Sequence, residues 1–231
     1  MKYKHYSFDL WQTLIRSNPD FKLKRAEYFF NHFNRQNKSI DEVISIIRDI
    51  DIMCNSTNEV VGANIHAYEM YTMILHKLGY DLSPFTQKDI QSICNIVEVI
   101  FLNNPPVLYD QDTLNVLKEL KSSGATISIL SNTAFIQGVT LRKFIETELK
   151  DIFLFQMYSD ETGSSKPNKK MFIDMMYSVY RFRLMSPITQ QHIVHVGDNI
   201  ISDIGGATNI GLDSIQINTN HKTIKDLLWA K

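Results

Sequence analysis

The sequence predicts an α/β protein: a doubly wound parallel sheet with an all-helical subdomain inserted near its N-terminus. Three observations lead there. From about residue 106 onward, short apolar runs alternate with segments of helical period, the signature of βαβ units. Between residues 17 and 105 the apolar residues recur at spacings of three and four, with no strand pattern of comparable strength. That stretch is bracketed by two turn clusters, Ser17-Asn18-Pro19-Asp20 and Asn103-Asn104-Pro105-Pro106, where Pro and Asn favour a change of direction. The length of 231 residues also suits a core with an insertion, being large for one compact unit and small for two. The expected division is 1–16 plus 106–231 as core, with 17–105 as a helical cap.

In chain order, Tyr3 to Leu10 reads as a strand ending near Asp9. Helical segments follow at Phe21 to Phe33, Ile40 to Met53, Glu59 to Leu78 and Gln87 to Leu102, with Ser39 and Glu42 spaced as a capping box for the second. After Pro106 come a helix at Asp112 to Lys121, a strand at Thr126 to Leu130 and a helix through Leu141 to Leu149. Next are a strand near Phe153 to Tyr158, a helix from Asn168 to Tyr180 and a strand from His192 to Val196. A helix from about Ile201, a strand at Ser214 to Ile217 and a terminal helix from Thr223 complete the series. Strands apolar nearly throughout fit a sheet covered on both faces.

Bulk properties remove several classes of function. Net charge is −1, so no overall field draws the chain to nucleic acid or to lipid headgroups. No apolar run approaches the ~20 residues that span a bilayer, and the N-terminal residues Met1 to Tyr6 lack a signal-peptide apolar region. Cys54 and Cys94 are isolated from each other, which suits a reducing cytoplasm better than a disulfide framework. His32, His66 and His76 lie in the insertion without metal-ligand spacing; His5, His192 and His195 read as structural residues of or beside strands. Arg16 and Arg25, near the first turn cluster, read as solvated arginines, with a substrate carboxylate or phosphate as the alternative partner. Tyr68, Met70, Tyr71 and Met73 read as core packing.

In open parallel sheets ligands bind beyond the carboxyl ends of the strands, so the residues at those ends carry the functional question. They are Asp9, Ser131-Asn132, Ser159-Asp160 with Lys166 beyond, and Gly197-Asp198 with Asp203 following. Each has an ordinary alternative: a turn aspartate, turn-forming Ser and Asn, a solvated lysine, an acidic helix N-terminus. Together, in chain order, they offer a nucleophile, a hydroxyl, a cation and a further carboxylate able to share a hard cation with the first.

Phe8-Asp9-Leu10-Trp11-Gln12-Thr13-Leu14, Leu130-Ser131-Asn132, Lys166-Pro167 and Val196-Gly197-Asp198 through Asp203 with Gly206-Ala207 resemble the haloacid dehalogenase-like hydrolase superfamily. The resemblance implies a Rossmann-like core and a helical cap of the C1 type. It further implies Asp9 as nucleophile, Ser131 and the backbone near Asn132 as binders of the transferring group, and Lys166 as the neutralising cation. Mg²⁺ would be held by Asp9, Asp198 and the Trp11 carbonyl, with Thr13 and Asp203 in support. The implied activity is that of a phosphatase acting on a small phosphorylated metabolite.

Two positions depart from the family's phosphatase pattern. Trp11 stands where an acid–base Asp is usual, and tryptophan cannot move a proton. Gln12 replaces the usual glycine. Metal-independent 2-haloacid dehalogenases of the superfamily carry an aromatic residue at the first of these positions, which makes that activity the rival reading. A catalytically degenerate binding protein is a third. Asp198 weighs toward the Mg²⁺ phosphatase, because a second carboxylate beside the nucleophile without a cation only adds repulsion.

Overall fold

The computed structural model describes residues 2–229; Met1, Ala230 and Lys231, at the outer bounds of the expected core, lie outside the described residues. The chain enters through β1 (His5–Phe8) and β2 (Ile15–Arg16) and then forms four helices: α1 (Pro19–Phe33), α2 (Ile40–Val61), α3 (Ala67–Lys77) and α4 (Gln87–Asn103). It returns through β3 (Val107–Leu108), α5 (Thr113–Ser122), β4 (Thr126–Ser131), α6 (Gly138–Glu148) and β5 (Phe155–Tyr158). The last part comprises α7 (Ser159–Thr162), α8 (Lys169–Phe182), β6 (Ile193–Gly197), α9 (Gly206–Thr208) and β7 (Asp213–Gln216).

Local chemistry explains several boundaries. Pro19 opens α1 where its missing N–H costs nothing, and the Asn18 side chain accepts from the Asp20 N–H at 2.9 Å. Ser39 and Glu42 form the expected capping box on α2, and Thr86 with Asp89 does the same for α4.

Five strands pair in parallel in the order β5-β4-β1-β6-β7. The chain builds outward from β1 on one side and then crosses to the other, so the order reverses at β1 and a crevice opens at its carboxyl end. Register places Phe8 opposite Ile129 on one side and Val196 on the other, which sets Asp9 beside the exits of β4 and β6. Alternate side chains feed two apolar layers. Ile127, Ile129, Val194 and Val196 join a cluster that continues through Leu10 and Leu14 into Phe21, Phe29 and Phe101 of the inserted helices. Leu130 and Ile193 point the other way, onto Met171, Phe172, Met175 and Val179 of α8.

The structure shifts several expected elements. The break expected between Met53 and Glu59 is absent, because α2 continues to Val61 and stops at Gly62, whose φ of 71° closes the helix in the left-handed region. Burial of Cys54 and Asn58 against neighbouring elements overrides the weak helix propensity of residues 54–58. Strands β2 and β3 pair antiparallel at the two crossings between core and insertion, a pairing too short for periodicity to reveal. The helix expected from Ile201 begins as a π-type turn over Ile200–Gly205, and the terminal helix is a short 3₁₀ segment, Ile224–Leu228. Among the described residues, no helix is long and apolar enough to cross a membrane.

The end of α2 is tied to the core. The Gly62 carbonyl accepts from Ser165 N–H at 3.1 Å and Asn168 Nδ2 at 2.9 Å, and Asn64 Oδ1 accepts from Ser159 Oγ at 2.6 Å. Glu59 Oε1 accepts from Asn199 Nδ2 at 2.8 Å and Ser202 Oγ at 2.6 Å.

Candidate active site

Asp9 leaves β1 with its N–H donating to the Val196 carbonyl at 2.8 Å, which points its side chain into the crevice. Oδ1 accepts from Ser131 Oγ at 3.1 Å and Lys166 Nζ at 2.7 Å; Oδ2 accepts from Thr13 Oγ1 at 3.0 Å. The turn following Asp9 is tight, with Leu14 and Ile15 N–H groups both returning to the Leu10 carbonyl. Gln12 adopts a φ of 59° there, a left-handed conformation that explains why glycine is the easier residue at this position. Thr13 does more than support the turn, since its Oγ1 also lies 3.3 Å from Asp198 Oδ1.

Lys166 is the main surprise. The sequence left a solvated loop lysine open, but its side chain is buried and its ammonium lies 2.7 Å from Asp9 and 2.5 Å from Asp203 Oδ1. Asn132 holds the loop in place by accepting from Lys166 N–H at 2.7 Å and donating Nδ2 to the Lys166 carbonyl at 3.0 Å. Its side-chain amide is therefore engaged with the protein, and only its backbone remains available to a ligand. Asp203 receives Lys166 and His195 Nε2 (3.1 Å) on one oxygen and the Asn199 N–H (3.0 Å) on the other. His195 accepts from Ser7 Oγ through Nδ1 at 3.1 Å in the tautomer that donates to Asp203.

The charges do not balance. Asp9, Asp198 and Asp203 bring one carboxylate oxygen each to within 4.8 Å of one another. The ammonium of Lys166 is the cation among them, because burial lowers the basicity of His195 despite its Asp203 partner. Burial pushes the Asp9 carboxyl upward, and Lys166 offsets only part of that. Asp203 is the exception: burial opposes its ionisation, yet Lys166 and His195 hold it well below the usual carboxylate range. Asp198 is driven up to about 7 by burial and by the neighbouring carboxylates. A divalent cation would cancel the excess. Asp9 and Asp198 are the residues best placed to hold it: Asp203 is held by Lys166, His195 and the Asn199 N–H, whereas among the described residues Asp9 Oδ2 and Asp198 Oδ1 meet only the Thr13 hydroxyl.

Gly197 is required by this packing. A Cβ at that position would fall 2.2 Å from Asp203 Cγ, leaving no room for the carboxylate that anchors Lys166. Gly197→Ala is expected to lower stability by about 1–3 kcal/mol in urea unfolding, as overpacking of a close-packed interior does.

A cavity of about 370 Å³ lies over these strand ends. Its far wall is helical: Phe21, Lys22 and Arg25 of α1, and Asp51, Asn55 and Glu59 of α2. The last three recur every fourth residue and so share one face of α2. That polar stripe was visible in the sequence; its facing the cavity was not. Trp11 also lines the cavity, and its ring meets Phe101 of α4 edge-to-face at 6.4 Å between centroids. The position beside the nucleophile thus presents an apolar wall, not a proton donor.

A model of the haloacid dehalogenase-like hydrolase family matches residues 6–217. A glyceraldehyde 3-phosphate phosphatase from Methanothermobacter thermautotrophicus is 31% identical over 111 residues, 47% of this chain and 44% of the relative. A pyrimidine 5′-nucleotidase from Escherichia coli is 33% identical over 99 residues, 42% of this chain and 40% of the relative. These matches span less than half the length of either curated relative. Among solved structures, a HAD-hydrolase from Bacillus subtilis bound to magnesium superposes with a TM-score of 0.68 at 18% identity, covering 99% of this chain and 98% of that one. A 2-haloacid dehalogenase from Pseudomonas syringae gives 0.59 at 19% identity, covering 96% of this chain and 89% of that one. At such identities the likeness is one of fold.

Proposed function

The chain belongs to the haloacid dehalogenase-like hydrolase family, and from that premise we propose that it is a Mg²⁺-dependent phosphatase using Asp9 as nucleophile on a small phosphorylated metabolite. The observation that carries this reading is the charge imbalance at the strand ends: three carboxylates face one ammonium, and burial together with the Asp9 and Asp203 carboxylates drives Asp198 up to about 7. A metal-free mechanism has no use for Asp198 beside Asp9, whereas a metal site does.

In this mechanism the Asp9 carboxylate attacks phosphorus, the bond to the leaving-group oxygen breaks, and an aspartyl phosphate forms on Asp9. Water then attacks that phosphorus, releasing inorganic phosphate and regenerating the carboxylate. Ser131, the backbone near Asn132 and the Lys166 ammonium hold the phosphoryl oxygens and offset their charge, which in phosphoryl transfer matters more than covalent assistance. Asp203 and His195 position Lys166. Mg²⁺, held by Asp9, Asp198 and the Trp11 carbonyl, would supply charge neutralisation between nucleophile and phosphate. The helical insertion, residues 17–105, acts as the cap that excludes water and selects the substrate.

With Trp11 in place of an acid, the leaving oxygen departs without a proton from that position, forgoing a contribution of about 10²- to 10⁴-fold. Acetyl phosphate and p-nitrophenyl phosphate, whose leaving groups need no proton, are therefore expected to outpace alkyl phosphates by at least about tenfold in kcat/KM. Chelation by EDTA is expected to abolish turnover and added Mg²⁺ to restore it. Undiminished activity in EDTA would remove the metal from the mechanism.

Trp11 favours one other reading. An aromatic wall beside the nucleophile suits attack on a carbon–halogen bond, which needs no proton donor. Chloride release from 2-chloropropionate that persists in EDTA would establish it in place of phosphatase activity.

A further inference from the structure

One group on the cavity wall has no role in the chemistry above. Arg25 projects from α1, its side chain is more than nine-tenths buried, and it lines the same cavity as Asp9 and Lys166. Its guanidinium carbon lies 4.3 Å from the Phe135 ring centroid and 5.0 Å from that of Phe21. These rings flank it from the helical side and the core side, but a ring face offers no oxygen acceptor to its N–H groups. Nε is buried without a hydrogen-bond partner, and the described residues provide the guanidinium with neither hydrogen bond nor ion pair. Asp51 stands on the same wall and contributes only a longer-range attraction.

A guanidinium stays charged under all ordinary conditions, and burying it without in-plane acceptors is costly. Folded proteins keep such groups when something else supplies the acceptors. An anionic group matches the fork geometry best, because carboxylate and phosphate oxygens accept two parallel N–H bonds. The phosphoryl group that meets Asp9 already has Lys166 and Ser131. Arg25 belongs to the opposite, helical wall and is therefore positioned for the other end of the substrate.

We propose that Arg25 binds a second anionic group of the substrate, so that the enzyme's substrates are phosphate monoesters bearing a carboxylate or another phosphate at the far end. This rests on the phosphatase reading given above.

The test measures binding, using non-hydrolysable probes. Phosphonoacetate, 3-phosphonopropionate and 4-phosphonobutyrate are titrated by calorimetry into the Mg²⁺-loaded protein beside ethyl-, propyl- and butylphosphonate. Propane-1,3-bisphosphonate provides the second-phosphate arm. At least one dianionic-ended probe is expected to bind about 10- to 100-fold more tightly than its alkyl counterpart, the range of a charge-assisted bidentate contact. The better of the carboxylate and bisphosphonate arms identifies the group. In Arg25→Gln that ratio is expected to collapse to within about threefold, and in Arg25→Lys to be partly kept, as a point charge replaces a fork. Circular dichroism establishes that each variant is folded, and the lysine variant carries the test if the glutamine variant is not. Equal binding of charged and alkyl probes by the wild type overturns the role of Arg25 alone, as does a ratio unchanged in the variants. Failure of every phosphonate to bind overturns both this inference and the phosphatase reading.

Discussion

Asp9→Asn is expected to lose at least about 10³-fold in turnover of p-nitrophenyl phosphate while remaining folded. The loss follows from chemistry, since an amide cannot form the aspartyl phosphate. Retained folding follows from the local electrostatics. Burial pushes the Asp9 carboxyl up despite the ammonium 2.7 Å away, so in the metal-free protein its charge is held against a cost. An isosteric amide keeps the oxygen that accepts from Ser131, turns the other position into a donor that the Thr13 hydroxyl can accept, and removes one of three clustered negative charges. In EDTA the variant is therefore expected to melt at or above the wild-type temperature, the usual exchange of stability against activity at a functional site. Phosphate release and thermal unfolding on the same preparation check both halves. Activity within tenfold of wild type would sink the nucleophile assignment.

Lys166→Met is expected to damage both stability and activity. It removes the ammonium shared by Asp9 and Asp203 and leaves three carboxylates facing one another in a buried site. Deleting one partner of a buried ion pair typically costs about 3–5 kcal/mol, because the remaining charge is left uncompensated. The methionine chain preserves most of the apolar volume, so the deficit reports charge and not a cavity. Loss of phosphoryl-charge stabilisation is expected to lower kcat/KM by about 10²- to 10³-fold. Saturating Mg²⁺ should return part of the stability, because a cation between Asp9 and Asp198 relieves the same repulsion. Urea unfolding with and without Mg²⁺ reads this directly, and a variant as stable as wild type in EDTA would contradict the network.

The residues that meet at the strand ends were legible because each closes a short apolar run. Asp9, Ser131 and Asp198 follow strands whose composition announces a sheet covered on both faces, and a parallel sheet has one functional edge. The capping box of Ser39 and Glu42 was equally local and correctly placed α2's start. The end of α2 was not local. Residues 54–58 have poor helix propensity, but Cys54 and Asn58 are buried and the helix persists to Gly62. Pairing of β2 with β3 brings together residues 15–16 and 107–108, across the whole insertion, and no window of sequence contains both.

By itself the sequence determined most of the chain order of strands and helices, the presence of a helical insertion and the set of groups able to meet at one edge, since these depend on periodicity and turn chemistry within a few residues. Only the tertiary structure decided what environment each group has. Lys166 lies in a Ser- and Gly-rich loop that reads as solvated, and becomes a buried cation because Asn132 and two carboxylates enclose it. Arg25 reads as a hinge arginine, and becomes an unpartnered guanidinium between two rings because α1 packs against the loop after β4. Trp11 marks a missing proton donor in either view, but its contact with Phe101 makes it the apolar wall of the site. Burial and charge pairing arise from segments distant in the chain, and the free energy of an ionised group is set almost entirely by those neighbours.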